Sequence, residues 1–153
     1  MNKDNKQQGN EEVWYANGLK FQCIFPKCNR CCCNEPGYVW LADGEAENIA
    51  KFLILTKKEF LKNYTIKLHG RVSLTEKKNF DCIFLDQETG CKIYQVRPKQ
   101  CSSYPFWPEV LRSVESWYLE GQFCPGINHG NVISYEEIQQ KREQKIPPIW
   151  HHQ

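Results

Sequence analysis

The chain has 153 residues, of which 41% are hydrophobic and 13% aromatic, enough apolar material for one domain with its own core. Its formal net charge is +2 with acidic and basic residues interleaved, so we expect no basic stripe for a phosphate backbone and no nucleic acid partner. Nine cysteines exceed ordinary usage, yet a chain of this size and aromatic content does not fit a small secreted scaffold in which disulfides replace the core.

The first residues of the chain are polar. Residues 1–17 are rich in Asn, Gln, Lys and Glu and predict a disordered tail, because so few apolar groups cannot offset the entropy of ordering them. They lack the apolar stretch of a secretory signal, and the longest apolar patch, 52–55, is far shorter than the roughly 18 residues of a membrane helix. We therefore expect a cytoplasmic protein without a membrane partner, whose cysteines stay reduced.

The fold is predicted to begin near Leu19, with a cysteine-dense segment over 21–37. This segment has no regular period and ends in Glu35-Pro36-Gly37, a turn signal that suits a loop wrapped around a ligand. The residues that follow, Tyr38-Val39-Trp40-Leu41, predict a short strand.

Two helices are predicted after this strand. Asp43 is the candidate N-cap of the first helix. The apolar face of that helix would carry Ala46, Ile49, Ala50 and Leu53. Thr56 and Glu59 form a capping box for the second helix, which makes this boundary the best specified in the chain.

Two hairpins are predicted next. Alternating apolar residues over 66–74 surround His69-Gly70 and indicate two short strands joined by a turn. Residues 82–85 and 91–94 flank a connection of hairpin length that ends in Gly90. Such a second hairpin would bring its two cysteines together.

The last third of the chain predicts two further helical segments. Arg97-Pro98 can start a helical turn that reaches Cys101, since proline is tolerated where its missing N–H is not needed. Pro108 is predicted to open a longer helix that ends at a Gly121 C-cap. Its apolar face would carry Val110, Leu111, Val114, Trp117 and Tyr118. The aromatic residues expected to form core walls are Phe106, Trp107, Trp117 and Tyr118.

The C-terminal region predicts a tight loop, Cys124-Pro125-Gly126, and then a helix capped by Ser134 and Glu137. That helix is mostly charged, so we expect it to be solvated.

The predicted elements are short and of both kinds. They indicate an α+β fold, a small single domain of short helices and two short hairpins organised around a cysteine-rich metal site. We expect a disordered tail over 1–17, a cysteine-cluster metal-binding domain over 18–130, and a solvated C-terminal helix and tail over 131–153.

Five thiols lie within eleven residues of the cysteine-dense segment: Cys23, Cys28, Cys31, Cys32 and Cys33. The two-residue gap between Cys28 and Cys31 is the spacing that directs two sulfurs at one metal. Neighbouring side chains diverge, so the pair Cys31-Cys32 predicts either two metal positions or one ligand beside a packed thiol. Cys33 is expected to be a packed thiol, and the other eight sulfurs match the number that two four-thiolate sites need.

Four further cysteines lie apart in the sequence: Cys82, Cys91, Cys101 and Cys124. Each stands near a turn, a proline or a strand end, so the fold can gather them. The alternative is that individual members are simply core residues, a common fate of free cysteine. His129 follows the last cysteine loop and is the one histidine near enough to substitute as a ligand, although a surface role is favoured for it.

Several ordered blocks resemble the CxxCxxCC cysteine-cluster family, the YkgJ-like zinc- or iron-chelating domains. The blocks are FQC and CNRCC, EPGYVWL, DCIFL, CKIYQVRPKQC, YPFWP and CPGI, and they cover residues 21 to about 130. The resemblance implies a chelating set of eight cysteines: Cys23, Cys28, Cys31, Cys32, Cys82, Cys91, Cys101 and Cys124. The first gap has four residues here where the family has two, and Ser102 stands where the family often has Arg.

The leading prediction is a metal-binding protein in which zinc or iron, or an iron–sulfur cluster, holds the fold together and presents a surface to a protein partner. All-thiolate ligation fits both metals. The alternative is a metal- or cluster-dependent modification enzyme, since flagellin lysine N-methylases are similar in carrying such a cluster. The sequence has no Gly-rich nucleotide-binding loop, so the enzyme ranks below the metal-binding module. Arg97 and Tyr94 could contact thiolates or a substrate anion, or form a structural pair. A third alternative is thiol exchange at Cys33.

Overall fold

The computed structural model describes residues 12–25 and 37–144, and this part of the chain has an α+β fold with five α-helices and seven short strands. In chain order the elements are β1 (Leu19–Phe21), β2 (Val39–Trp40), α1 (Glu45–Phe52), α2 (Lys57–Tyr64), β3 (Thr65–Leu68), β4 (Arg71–Leu74), β5 (Leu85–Asp86), β6 (Gly90–Cys91), a 3₁₀ helix (Tyr94–Val96), α3 (Lys99–Ser103), α4 (Val114–Phe123), β7 (Ile127–Ile133) and α5 (Tyr135–Arg142). The predictions for Cys28, Cys31, Cys32 and Cys33 lie outside the described residues.

The strands form three small antiparallel sheets in the described part of the chain, in the orders β1-β7, β2-β4-β3 and β5-β6. The β3–β4 hairpin is confirmed, with the backbone φ angles of His69 at 50° and Gly70 at 75°. Positive φ at two successive residues is what a tight two-residue hairpin turn requires. The strand predicted over 38–41 is confirmed as β2, which pairs with β4.

The second hairpin is confirmed but is shorter than predicted. Its ladder joins Leu85 to Cys91 and Asp86 to Gly90. Cys82 lies before this ladder and instead forms an isolated antiparallel bridge with Glu76. Cys82 therefore pairs with the chain that precedes it and not with the strand predicted over 91–94.

Two hydrophobic clusters make up the described core. The first core consists of Tyr15, Phe106, Val110, Leu111, Trp117, Cys124, Ile127 and Ile138. The second core consists of Ala46, Ile49, Ala50, Phe60, Leu74, Phe84 and Ile93. The sheet of β1 and β7 belongs to the first core, and helices α1 and α2 pack on the second.

The predicted Asp43 cap of α1 is wrong, because Gly44 occupies the N-cap position with φ at 83° and no side chain caps the helix. Glu45, only 8% exposed, supplies the polar contacts instead: its carboxylate accepts hydrogen bonds from the backbone N–H groups of Ala42 at 2.8 Å and Lys99 at 2.7 Å. The predicted buried face of α1 is confirmed for Ala46, Ile49 and Ala50. The capping boxes that begin α2 and α5 are both confirmed.

The bounds predicted for α4 are also wrong. The helix begins at Val114 rather than at Pro108, because the Ser113 hydroxyl accepts the N–H of Ser116 at 3.1 Å and caps the first turn. Gly121 lies inside the helix, where a Cβ would come within 3.3 Å of Ile127. Trp117 is buried as predicted, but Tyr118 is 68% exposed and forms no core wall.

The disordered tail predicted over 1–17 is wrong for its last residues, which are attached to the fold. The Trp14 indole donates to the carbonyl of Leu111 at 2.8 Å, and the Tyr15 hydroxyl donates to Gln139 at 3.1 Å. Tyr15 is 6% exposed in the first core. Aromatic burial outweighs the polar composition of the preceding residues, because two rings remove a large apolar area from water.

The C-terminal helix α5 is attached to the domain rather than wholly solvated. Ile138 is fully buried in the first core, and β7 runs through position 130 to pair with β1. The boundary expected at that position therefore falls inside a strand. Within the described ranges no helix is long and apolar enough to cross a membrane.

Candidate metal centre

The first two cysteines of the candidate centre, Cys82 and Cys91, lie near each other. Both pack against the second core as partly buried side chains. Burial raises the pKa of the Cys82 thiol and the nearby Cys91 raises it further, whereas a backbone hydrogen bond from Phe84 lowers it. Burial likewise raises the pKa of the Cys91 thiol, while the Ile93 backbone and the Arg97 charge oppose the shift. The β5–β6 hairpin and the chain before it thus place Cys91 near enough to Cys82 to disfavour a second negative charge at this position.

Cys124 lies in the first core, and Cys23 is attached to its loop. Cys124 is 6% exposed and ends α4, with its N–H donated to the carbonyl of Glu120 at 2.8 Å. The turn predicted after it is confirmed by the hydrogen bond from Ile127 N to Cys124 O at 3.1 Å. Gln22 donates its N–H to the carbonyl of Gly126 at 3.1 Å. This contact attaches the exposed Cys23 to the loop of Cys124.

Cys101 lies on α3, which begins after Pro98 as predicted. The Gln100 side chain secures this helix to β2: its Oε1 accepts the N–H of Trp40 at 3.0 Å, and its Nε2 donates to the carbonyl of Tyr38 at 2.8 Å. On the other side, the amine of Lys141 donates to the carbonyl of Ser102 at 3.2 Å. Helix α3, which carries Cys101, is therefore attached to β2 on one side and to α5 on the other.

The two ends of the cysteine-dense segment meet the chain around the β5–β6 hairpin. At the first end, a Cβ on Gly90 would lie 3.6 Å from the ring of Phe25, so this ring packs over the hairpin. At the second end, the N–H of Gly37 donates to the carboxylate of Glu76 at 2.7 Å, and Glu76 is the bridge partner of Cys82. Residues 25 and 37 are thus attached next to Cys91 and Cys82 respectively.

The described residues alone do not complete a metal site. Within 12–25 and 37–144, no three His, Cys, Asp or Glu side chains form a group that could hold a metal ion. Cys82 and Cys91 form a pair, Cys23 is attached to the Cys124 loop, and Cys101 stands on α3. His129, the predicted substitute ligand, lies exposed on β7.

Arg97 lies close to the cysteine pair. Its guanidinium stacks 3.8 Å from the ring centre of Tyr94, and its Nε donates to the Tyr94 carbonyl at 3.0 Å. Its positive charge favours the thiolate form of Cys91, as its effect on the Cys91 pKa shows. Arg97 thus forms an exposed pair with Tyr94, and its charge lies near enough to Cys91 to oppose the rise in the pKa of that thiol.

Three buried polar residues next to the cysteines were not predicted as part of the site. Glu45 and Gln100 orient α3, and Asp81, only 1% exposed, accepts from the amides of Asn79 at 3.0 Å and Gln87 at 2.5 Å. Asp81 precedes Cys82 and Gln100 precedes Cys101. A polar residue adjacent to a cysteine is the sequence signal that could have indicated Asp81 and Gln100, because ligand positions depend on a hydrogen-bonded frame. Glu45 has no neighbouring cysteine and carries no such signal.

The family comparison adds to this geometry. The sequence profile of the CxxCxxCC family, described as "Putative zinc- or iron-chelating domain", matches residues 22–125. This chain belongs to the CxxCxxCC family. The resemblance predicted from the cysteine blocks is therefore confirmed, and membership supports chelation of zinc or iron.

One relative and the solved structures complete the comparison. The chain is 32% identical over 123 residues to "Uncharacterized protein MJ0661" of Methanocaldococcus jannaschii. The match covers 76% of this chain and 63% of the relative, so the chain spans less than two thirds of that protein's length. No solved structure matches the chain.

Proposed function

We propose that the protein chelates zinc or iron through an all-thiolate centre that joins its two cores. The proposed ligands are Cys23, Cys28, Cys31, Cys32, Cys82, Cys91, Cys101 and Cys124. The observation that carries the proposal is the attachment of both ends of the cysteine-dense segment beside the hairpin that bears Cys82 and Cys91.

Chain connectivity supports a shared centre. Residues 26–36 begin next to Phe25, which packs over Gly90, and end at Gly37, which is bonded to the bridge partner of Cys82. A segment of this length tethered at both ends can reach only a limited distance from its attachment points. We propose that this segment brings its cysteines to the sulfurs of Cys82 and Cys91.

Electrostatics supports a bound cation. Burial raises the pKa of the Cys82 thiol and the nearby Cys91 raises it further, so a second thiolate is unfavourable there without a positive charge. A divalent metal supplies that charge and favours release of the thiol protons. Zinc would give structural tetrahedral sites, whereas iron would give thiolate-bound clusters.

A centre of this kind would cross-link the fold. Cys124 belongs to the first core, and Cys82 and Cys91 pack against the second. Metal bonds to all three would fix the two apolar clusters relative to each other, so binding energy would become folding energy. We accordingly propose a structural metal centre, with the adjacent Cys31-Cys32 pair serving two metal positions or one cluster.

Anaerobic purification with metal and sulfide analysis tests the proposal. Iron with inorganic sulfide and visible absorption would indicate a cluster, and colourless protein with zinc would indicate structural sites. Cys91→Ser should lose most of the metal, while the matched control Cys33→Ser should retain it. The proposal fails if no metal is retained and all nine thiols of the folded chain react freely with a thiol reagent.

A further inference from the structure

Helix α4 carries apolar side chains on the face that points away from the first core. Its core side holds Trp117, which is only 4% exposed. The exposed positions of the helix are Val114, Glu115, Tyr118, Leu119, Gln122 and Phe123. Most of these are apolar, and Val114, Tyr118 and Leu119 are each more than half exposed. Because a helix that is apolar on all sides is ordinarily covered on all sides, this face indicates a contact that the described residues do not supply.

The exposed faces of α2 and α5 show what a solvated helix of this protein contains. The exposed positions of α5 are Glu136, Glu137, Gln140 and Arg142. Those of α2 are Lys57, Lys58, Glu59, Lys62 and Asn63. All of these side chains are charged or carry an amide. The apolar face is therefore a property of α4 in particular and not of the helix surfaces in general.

The exposed residues form two ridges along α4. Residues four positions apart lie on one ridge of an α-helix, about 6 Å from each other along the axis. One ridge consists of Val114, Tyr118 and Gln122, and the other consists of Glu115, Leu119 and Phe123. Ridges of this spacing pack into the grooves of a second helix, which is the commonest mode of helix packing. The partner that this face fits is therefore another α-helix.

The two ridges are complementary to themselves in an antiparallel pair. A two-fold axis between Tyr118 and Leu119 places each Tyr118 against the partner helix's Leu119 and each Glu115 against its Gln122. The carboxylate then accepts from an amide, whereas a parallel pair would place two Glu115 carboxylates side by side. Opposed helix dipoles also favour the antiparallel arrangement.

Charge and area on this face favour a second copy over a charged partner. Helix α4 contains no Lys or Arg, and Glu115 is the one carboxylate among its exposed positions. A symmetric contact over both ridges would bury roughly 1,200 Å² in total, which is the lower limit of specific interfaces. An interface of that size is expected to dissociate on dilution.

We propose that the exposed face of α4 is a homodimer interface, in which two copies of the helix pack antiparallel around a two-fold axis near Tyr118 and Leu119. The inference does not depend on the proposed metal centre, because none of the exposed residues of α4 is a proposed ligand.

Sedimentation velocity of the full chain under reducing conditions tests the association. Between about 1 and 300 µM, the mass should rise from that of the 18.1 kDa monomer toward twice that value. Leu119→Lys places an ammonium against the partner's Tyr118 and should raise the dissociation constant of the dimer about tenfold or more. Circular dichroism of each variant checks that the fold is retained.

A charge series tests the antiparallel pairing and keeps the test available if Leu119→Lys does not fold. Gln122→Glu should weaken the dimer several-fold, because it places a second carboxylate opposite the partner's Glu115. Adding Glu115→Lys should restore the dimer through an ion pair across the axis. The two positions lie about 10 Å apart within one helix, so the recovery cannot arise inside a single copy. Gln140→Glu makes the same change on the exposed face of α5 and should leave the dissociation constant unchanged.

Three results would overturn the proposal. A wild-type protein that stays monomeric at every concentration would refute self-association and leave a different protein, or another part of the same chain, as the occupant of this face. A dimer unaffected by both Leu119→Lys and Gln122→Glu would place the interface elsewhere. A loss in Gln122→Glu that Glu115→Lys does not restore would refute the antiparallel pairing.

Discussion

Gly126 shows at the residue scale how closely the Cys23 segment approaches the Cys124 loop. A Cβ on this glycine would come within 2.2 Å of the Gln22 carbonyl oxygen and 3.2 Å of the Phe21 ring. The backbone N–H of Gln22 is bonded to the carbonyl of the same glycine. Only a residue without a side chain lets these two backbones pair, and the pairing is what attaches Cys23 next to Cys124.

We expect Gly126→Ala to lower the free energy of unfolding by about 1–3 kcal/mol, the usual cost of forcing atoms into a packed site. It should also weaken metal binding, since the Cys23 segment must move away from Cys124. Urea denaturation and metal content measure the two effects.

Gly37→Ala is the control for that substitution. A Cβ on Gly37 meets no atom within 4 Å, so stability should change by less than about 1 kcal/mol. Equal destabilisation by both variants would contradict the argument from close approach.

At the scale of elements, α3 is positioned by side chains rather than by its own length. It has five residues and no side-chain cap, so it depends on contacts with β2 and α1. Gln100 is 6% exposed and satisfies two backbone groups of the β2 segment. The same side chain therefore sets the position of both Cys101 and Trp40.

We expect Gln100→Leu, which keeps the side-chain volume, to destabilise the protein and to lower its zinc affinity. The N–H of Trp40 and the carbonyl of Tyr38 would lose their partner, and each unsatisfied group costs about 1–3 kcal/mol. Competition with a chelator of known affinity measures zinc binding. Gln122→Leu on the exposed part of α4 is the control and should leave affinity unchanged; a similar loss there would argue against a specific role of Gln100.

At the scale of the whole molecule, the metal-free and metal-loaded proteins should respond oppositely to pH. Burial raises the pKa of Cys82 and Cys91 in the folded chain. The folded metal-free protein thus holds protons that the unfolded chain has released, and its stability should fall as pH rises above the ordinary thiol pKa of about 8.5.

Metal binding has the opposite sign, because each thiol must lose its proton to become a ligand. Zinc affinity should rise with pH between about 6 and 8, and Cys82→Ser should make the dependence shallower since one fewer proton is released. Titrations at several pH values measure the slope. An affinity that does not change with pH over this range would rule out thiolate ligation.

Local sequence signals predicted those parts of the fold whose cause lies within a few residues. The Thr56 and Ser134 capping boxes and the His69-Gly70 turn are each determined by side chains and φ angles of adjacent positions, and all three are confirmed. The spacing of the cysteine blocks likewise indicated the family. The roles of the eight cysteines, the cytoplasmic location and the alternative relation to flagellin lysine N-methylases stay predictions.

Other features depend on contacts between distant parts of the chain, and these the sequence could not specify. Tyr15 is buried and Trp14 is partly buried because the turn after the polar N-terminal residues packs against α5 and the chain before α4. Tyr118 lies on the exposed face of α4 because Ser113 caps the helix and sets where it begins. Of the described cysteines, Cys124 lies in the first core, Cys82 and Cys91 pack against the second, and Cys101 lies on α3. That arrangement follows from burial and from hydrogen bonds by Gln100 and Glu45, whose partners lie more than fifty positions away in the sequence.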